Sequence, residues 1–223
     1  IYVGQSERIK VLNSVARYNV AGIEIENSFY AEVIGNTSEH NTGGILIFDL
    51  PDLPQQGGHD ILVANNIVRN NDTDNFAPEG NIVGNTPNGT GIMVMANQFV
   101  EIRDNQIKNN ATAGILIASY QDEAEDKNYN PIASNIFIHG NFLKNNGFDV
   151  DTIRAKPISD VIDGKAPDII WDGVVPLIEW IGLKSSKRII LGDNYTDSNN
   201  LIFVNLKLMT KFLTPPLHKV DTN

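Results

Sequence analysis

The feature of this 223-residue sequence that most constrains its fold is a pair of asparagine positions that recurs along the chain. Six short apolar segments each end in a polar turn, and the turns close at Ser14, Asn36, Asn66, Asn105, Asn141 and Asn194. A second asparagine follows five residues later each time, at Asn19, Asn41, Asn71, Asn110, Asn146 and Asn199. A fixed offset that is repeated in this way indicates a solenoid, whose structural units recur at about 20 to 50 residues.

The apolar segments alternate with a period of two, as strands with one buried face do. A second series starts on glycine, with "GIEIEN" at 22, "GILIFD" at 44, "GIMVMA" at 91 and "GILIAS" at 114. The shortest repeat is 22 residues, which suits a coil of three short strands with Asn or Gly at its corners. A βαβ fold needs amphipathic helices, which are absent before residue 147, and an antiparallel sandwich does not explain the offset. We therefore predict an all-β parallel β-helix of about six coils with stacked asparagines.

These "GIxI" and asparagine patterns resemble the right-handed parallel β-helix repeats of the pectate-lyase-like superfamily. They are most similar to the bacterial parallel β-helix domain and to NosD-like carbohydrate-associated repeat proteins, over residues 1–146 and 186–205. The resemblance implies a right-handed β-helix and a carbohydrate-related role. It does not imply one activity, because lyases, hydrolases, epimerases, phage tailspikes and non-catalytic proteins share this fold.

Composition excludes some partners and leaves the compartment open. The net charge of −10 and the pI near 4.8 argue against binding of nucleic acid. No apolar run is long enough to span a bilayer, and the chain has no cysteine. The start "IYVGQS" looks like a repeat strand without its glycine, so we expect a fragment or processed chain. A periplasmic, outer-membrane-anchored or secreted location is the expectation, and the oligomeric state is left open.

Departures from the repeat predict the domain organisation and a site. We expect a β-helix over 1–205 with insertions at 49–58, 72–90, 120–133 and 147–185, and a C-terminal cap or tail over 206–223. Loops 49–58 and 120–133 leave after equivalent strands of coils that enclose one short-turned coil. Because stacked strands are about 4.8 Å apart, these loops are expected to stand about 10 Å apart, with a glycan-sized groove between them.

This expected groove supplies the candidate site residues. His59 and Tyr120 are the candidate catalytic residues, because a polysaccharide lyase or epimerase needs a base near the sugar C5 proton. The candidate substrate-binding residues lie on the two loops, on the short coil between them and, for Asp60, at the start of the strand beside the first loop. They are Asp49, Asp52, Asp60, Asn97, Gln98 and Asp122. Against catalysis, the chain lacks the "DPH"-type motif of alginate epimerases and lacks a cluster of Lys and Arg over the groove.

Acidic residues also crowd the insertions. Asp72, Asp74 and Glu79 could hold Ca²⁺, which prefers oxygen ligands, and a pair of carboxylates could serve glycoside hydrolysis. The alternative is that exposed loops are acidic simply because they are solvated. Met93 and Met95 should both point outward from one strand, where an apolar contact under a loop is favoured over a soft-metal site.

Three functions are consistent with these patterns. The first is an extracytoplasmic polysaccharide-binding protein that uses the groove, with or without Ca²⁺. The second is a lyase, epimerase or hydrolase that acts in the same groove. The third is a structural or adhesin-like component without catalysis. Binding to glycans separates the first two from the third, and unsaturated products identify a lyase.

Overall fold

The computed structural model describes residues 1–120, 122, 124–160, 162, 167–176, 179, 188–197 and 201–208. Its strands, β1 to β19 in chain order, form three parallel sheets. The first sheet contains β1 (Tyr2–Gly4), β4 (Ala21–Glu26), β7 (Gly43–Phe48), β10 (Thr90–Met95), β13 (Ala113–Ala118), β16 (Ile169–Trp171) and β19 (Phe203–Asn205). The second contains β2 (Glu7–Leu12), β5 (Phe29–Ile34), β8 (His59–Ala64), β11 (Gln98–Arg103), β14 (Ser134–His139) and β17 (Ile189–Leu191). The third contains β3 (Val15–Arg17), β6 (Thr37–Glu39), β9 (Ile67–Arg69), β12 (Gln106–Lys108), β15 (Phe142–Lys144) and β18 (Tyr195–Thr196).

Each coil contributes one strand to each sheet, so the predicted parallel β-helix is confirmed. Six coils are complete among the described residues, and β19 adds a seventh strand to the first sheet. In the first sheet Ile23 pairs with Ile45, and Ile45 with Ile92, so that equivalent residues stack in register. The inward side chains of all three sheets form one core, mostly of Ile and Val, which the period-two pattern had indicated.

The asparagines stack in columns at two corners of the coil. In one column each side-chain amide donates to the next side-chain oxygen, from Asn36 to Asn66 at 3.0 Å and from Asn105 to Asn141 at 2.9 Å. In the second column Asn71 donates to Asn110 at 2.9 Å. Both columns are buried along most of their length. The recurring asparagine is therefore required because its amide satisfies backbone and side-chain partners in adjacent coils.

The glycine that opens each "GIxI" segment is required by close packing between coils. A Cβ atom built on Gly22 would lie 2.6 Å from the carbonyl oxygen of Gly44, and one on Gly44 would lie 2.5 Å from that of Gly91. Real Cβ atoms do not come so close to a backbone oxygen. These glycines therefore allow the backbones of successive coils to approach each other beside the asparagine column.

The prediction that residues 147–185 form one insertion outside the repeat is wrong at the centre of this range. Residues Ile169–Trp171 form β16, which pairs with β13 and continues the first sheet. The irregular sequence before this strand includes the short helix α1 (Lys156–Ser159), and part of the sequence after it lies outside the described residues. Two apolar residues and Trp171 suffice for a strand here because β13 and β19 flank it on both sides.

The expected C-terminal cap is described only at its start. Leu206 and Leu208 continue along the first sheet through backbone bonds to Trp171 and Asp172. Residues 209–223, and Asn199 of the asparagine pattern, lie outside the described residues. In the described part of the chain, no helix has the length and apolar character needed to cross a bilayer.

Candidate functional site

The outer face of the first sheet carries an apolar surface that is covered by other parts of the chain. Leu46 and Phe48 of β7, Met93 and Met95 of β10, and Leu116 of β13 point away from the central core and form a second buried cluster. The predicted outward direction of both methionines, and their apolar contacts, are confirmed. The outer face of a sheet is normally solvated unless another element packs on it. The segments that cover this apolar face therefore distinguish it from an ordinary solvated surface.

A cavity of about 640 Å³ lies on this face, and we call it the trough. Its floor includes Phe48, Met93, Met95 and Leu116. One side, the entry wall, consists of residues 82–87 and 153–158, from the two insertions that lead into strands of the first sheet. The opposite side, the exit wall, consists of Ser119, Tyr120 and Asp122, which follow β13.

The entry wall is held together by hydrogen bonds between its two insertions. A short 3-10 helix (Ile82–Asn85) belongs to the first insertion, and the Arg154 Nε of the second donates to its Gly84 carbonyl at 2.8 Å. The Asp151 carboxylate accepts from the backbone N–H of Asn88 at 3.0 Å and from that of Ile153 at 2.9 Å. Burial opposes ionisation of Asp151, but these backbone N–H groups and Arg154 outweigh it and lower its pKa. Hydrogen bonds therefore join the two insertions of the entry wall to each other.

Beside the exit wall lies a buried carboxylate that no sequence pattern singled out. Asp172 follows β16 and lines the trough, and its Oδ2 accepts from both the backbone N–H and the hydroxyl of Ser119 at 2.6 Å. Its Oδ1 accepts from the backbone N–H of Val174 at 3.0 Å. Burial raises the pKa of Asp172, although these donors partly offset the effect. The result is an acidic group set at the edge of an apolar cavity.

Tyr120 is the predicted catalytic residue that does line the trough. Its ring contacts that of Tyr129 edge-to-face, with centroids 5.8 Å apart. Burial and the charges of Asp122 and Asp52 raise the pKa of Tyr120, so the phenol stays protonated at neutral pH. Asp122, a predicted substrate-binding residue, lines the same cavity and is exposed. Tyr120 can therefore donate a hydrogen bond and offer a ring face at the rim.

The prediction of an open groove between loops 49–58 and 120–133 is wrong. The Tyr129 hydroxyl donates to the Asp49 carbonyl at 2.6 Å, and the Asp52 carboxylate accepts from the backbone N–H of Asp126 at 2.8 Å. The two loops are thus bonded across the coil that was expected to separate them. A recess of about 390 Å³ remains beside Tyr129, and none of the predicted substrate-binding residues is among the described residues that line it.

Several residues assigned to that groove are placed where they support the loops. Asn97 is fully buried, and its amide donates to the Phe48 carbonyl at 3.4 Å. Asp49 is also buried, and its carboxylate accepts from the backbone N–H groups of Gly57 and Gly58 at 3.1 and 2.7 Å. Burial raises the pKa of Asp49, and those N–H groups and the nearby His59 lower it in part. Asn97 and Asp49 are therefore placed to shape turns of the backbone.

His59, the other predicted catalytic residue, lies on a different surface. It begins β8 in the second sheet, where its ring stacks on Phe29 with centroids 4.6 Å apart. Its Nδ1 lies 2.7 Å from the Asp60 Oδ2, and Gln98 occupies the next position in the same stack. His59, Asp60 and Gln98 do not line the trough. The structure therefore does not bring His59 and Tyr120 together in one cavity.

The predicted calcium ligands Asp72, Asp74 and Glu79 lie in the insertion that follows Asn71. Asp74 Oδ1 accepts from the Asn88 amide at 3.2 Å, and Asp72 lies 3.8 Å from a nitrogen of His40. Within the described ranges, no three Asp, Glu, His or Cys side chains converge as a metal ion requires, and Asp72, Asp74 and Glu79 are no exception. A Ca²⁺ ion takes six to eight oxygen ligands, and its binding by this insertion stays a prediction.

One signal in the sequence could have located the trough. The insertions after Asn71 and Asn146 leave the repeat at the same corner, because both residues hold the second position of the asparagine pair. Both therefore precede a strand of the first sheet and cover the same face. The groove hypothesis considered only the insertions that follow strands of the first sheet, which form one side of the trough. It therefore missed Arg154, on an insertion that precedes such a strand, and Asp172, which follows β16.

The comparisons with known proteins agree with this architecture. A family model described as "Right handed beta helix region" matches residues 1–151. No curated relative matches the sequence. Among solved structures, the A-module of the mannuronan C-5 epimerase AlgE4 from Azotobacter vinelandii superimposes on 86% of this chain, with a TM-score of 0.50 and 16% sequence identity. The chain spans 50% of the length of that module. At this identity the likeness concerns the fold.

Proposed function

Because this chain belongs to the right-handed β-helix family, we propose that it binds a polysaccharide chain in the trough on the outer face of the first sheet. The family's fold hosts several activities, so the proposal must depend on the site. The observation that carries it is the trough itself: a cavity of about 640 Å³ with a hydrogen-bonded entry wall and an aromatic, hydrogen-bonding exit wall.

The chemistry of the walls suits a sugar ring. Sugar rings have apolar C–H faces, which pack on aromatic and aliphatic side chains, and hydroxyl edges that need polar partners. Phe48 and Met95 supply an apolar floor, and Tyr120 supplies a ring and a hydroxyl at the rim. A mostly apolar cavity with a few placed polar groups is the usual form of a small-molecule or oligomer site.

The fold of a polysaccharide-modifying enzyme supports the same class of ligand. AlgE4 is named as an epimerase of mannuronan, and its A-module shares this fold. Polysaccharides of this kind are found mainly outside the cytoplasm, so we extend the proposal to an extracytoplasmic location. The proposal concerns binding, because the likeness in fold carries no catalytic residues over to this chain.

Affinity electrophoresis and a glycan array test the proposal. Tyr120→Ala removes the ring at the rim, and we expect it to weaken binding about tenfold, which is the loss of one aromatic contact. Tyr30→Ala is the matched control, because Tyr30 is exposed on the second sheet and does not line the trough. Absence of binding to every polymer tested, or equal effects of the two variants, would overturn the proposal.

Catalysis on a bound polysaccharide is the second candidate, and one observation favours it. Asp172 is a buried carboxyl whose pKa is raised, and it lines the trough together with Tyr120 and Asp122. A carboxyl whose pKa is raised by burial is a candidate for a general acid. The test is to incubate the protein with polymers that bind, and to measure new reducing ends, unsaturated products and changed C5 configuration by NMR. Turnover that Asp172→Asn abolishes without loss of binding would support catalysis.

A further inference from the structure

The floor of the trough is made of side chains that cannot form strong hydrogen bonds with a sugar hydroxyl. Phe48, Met93, Met95 and Leu116 are all less than one-tenth exposed, and Ile153 and Pro157 extend the apolar surface up the entry wall. An unmodified sugar that packs its hydroxyls on this floor leaves them without partners. A hydroxyl that is desolvated in this way opposes binding.

The charges around the trough disfavour an anionic chain. Among the described residues that line it, Asp122 and Asp172 have carboxyl groups and Arg154 is the one cation. Arg154 is already engaged, since its Nε donates to the Gly84 carbonyl at 2.8 Å and its Nη1 lies 3.4 Å from Asp151. The chain as a whole has a net charge of −10. A uronate carboxylate in the trough would meet like charge, and the one cation among the described lining residues already has partners.

We propose that the trough selects polysaccharides whose hydroxyl or carboxyl groups are capped as small esters, such as O-acetyl or methyl esters, over the de-esterified polymers. This inference rests on the proposed function. The ester methyl groups pack on the methionine and leucine side chains of the floor, and esterification removes the donors or the charges that the floor cannot match. The charge of the polysaccharide and the polarity of the floor both contribute to this selectivity. Each contribution can be tested separately.

The first test compares each polymer with its own de-esterified form. O-acetylated xylan is measured beside the same xylan after mild alkaline deacetylation, and methyl-esterified homogalacturonan beside polygalacturonate, by calorimetry and affinity electrophoresis. We expect at least one esterified polymer to bind about tenfold or more tightly than its de-esterified partner, since one buried methyl-sized group changes binding by about that factor. The pair that shows the difference identifies acetyl or methyl ester as the source.

Variants of the floor test whether the methionines carry the selectivity. Met95→Gln makes the floor polar at nearly constant size, and it should remove most of the preference for the ester. Met95→Leu keeps the floor apolar and should retain the preference, which makes it the matched control. Both variants are checked for thermal stability, because Met95 is 8% exposed.

A variant at the rim tests the charge argument without disturbing packing. Ile153 is 81% exposed and lines the trough, so Ile153→Lys should fold normally and add a free cation there. We expect it to strengthen binding of polygalacturonate selectively. The matched control is Ile190→Lys, on the exposed outer face of the second sheet and outside the trough.

The outcomes separate the two proposals. Equal affinity for esterified and de-esterified polymers, or tighter binding of polygalacturonate by the unmodified protein, would overturn the ester selectivity and leave polysaccharide binding standing. Lack of binding to all four polymers, and to the wider array, would overturn the proposed function and this inference with it.

Discussion

The side-chain amide of Asn66 donates to the side-chain oxygen of Asn105 at 2.9 Å, although 39 residues separate them in the sequence. The same oxygen accepts from the backbone N–H of Asn66 at 2.9 Å, and the Asn105 amide donates in turn to the Val63 carbonyl at 2.9 Å. Both side chains are almost fully buried. One asparagine thus satisfies backbone groups of the preceding coil, which explains why the residue recurs at this corner.

Asn105→Ala should lower the free energy of unfolding by about 3 kcal/mol. The substitution leaves both the backbone N–H and the side-chain amide of Asn66 without their acceptor in a buried position, and each orphaned group costs about 1 to 3 kcal/mol. Chemical denaturation followed by circular dichroism measures the change. Gln106→Ala, at an exposed neighbouring position, is the control and should change stability by less than about 0.5 kcal/mol. Similar losses for both variants would contradict the role of the column.

Gly91→Ala should destabilise the protein by about 3 kcal/mol, because the new methyl group collides with backbone that cannot move independently. The added Cβ would meet the Gly114 carbonyl oxygen and the Asn110 amide nitrogen, the latter at 2.9 Å. Gly84→Ala is the control, since its Cβ would have only an ordinary contact at 3.7 Å with Ala77. Thermal denaturation of both variants provides the measurement. A Gly91→Ala protein as stable as Gly84→Ala would show that the coils are less closely packed than described.

Phe99→Asn should raise stability by about 0.5 to 1 kcal/mol. Phe99 has a left-handed backbone with φ of 50° and an exposed ring, whereas Asn135 holds the equivalent position of the next coil with φ of 57°. Asparagine adopts this conformation more easily than a bulky aromatic residue does. Phe137→Asn, on the same sheet, is the control and should be destabilising, because Phe137 stacks on His139. Urea denaturation that ranks the two variants the other way would refute the strain argument.

The titration of Glu24 should make the free energy of unfolding fall as pH rises. Burial first, and the nearby Glu26 second, raise the pKa of Glu24 to about 7 from 4.5, although the N-terminal ammonium partly opposes them. The native state therefore keeps a proton that the unfolded chain releases, so this contribution is fully present below about pH 4.5 and is lost as pH rises through about 7. The loss is about 3 kcal/mol.

Unfolding of the wild type and of Glu24→Gln across this pH range checks the effect. Glu24→Gln should abolish most of the fall and be more stable than the wild type at pH 8, because glutamine is neutral throughout. Glu7→Gln, at an exposed position, should retain the wild-type profile. A Glu24→Gln profile that parallels the wild type would rule out Glu24 as the titrating group.

The fold could be predicted from the sequence because its requirements are local and repeated. Each coil needs an asparagine to bond the coil beside it, and a glycine where the backbones approach, as Asn66 and Gly44 illustrate. These demands recur in most of the coils, so the pattern is strong although each segment is short. The strand Ile169–Trp171 was missed because it lacks both signals and is determined by its flanking strands.

The site could be predicted only in part, because loop positions depend on bonds between distant residues. Tyr120 and Asp122 were placed in the candidate site, and the structure puts them in the trough. The prediction of an open groove was wrong because hydrogen bonds join the two loops. One links Asp52 to Asp126, 74 residues away, and another links Tyr129 to Asp49, 80 residues away. No periodicity records such contacts. The catalytic and binding roles assigned to individual residues stay predictions.

The most direct test of the central functional claim uses the methionine methyl groups on the floor of the trough. The protein is labelled with ¹³C-methyl methionine, its signals are assigned with Met93→Leu and Met95→Leu, and it is titrated with the polysaccharide that binds most tightly. If the trough is the binding site, the Met93 and Met95 resonances will shift and saturate with the same affinity that calorimetry gives. Saturable binding that leaves both resonances unmoved would place the ligand elsewhere and contradict the account.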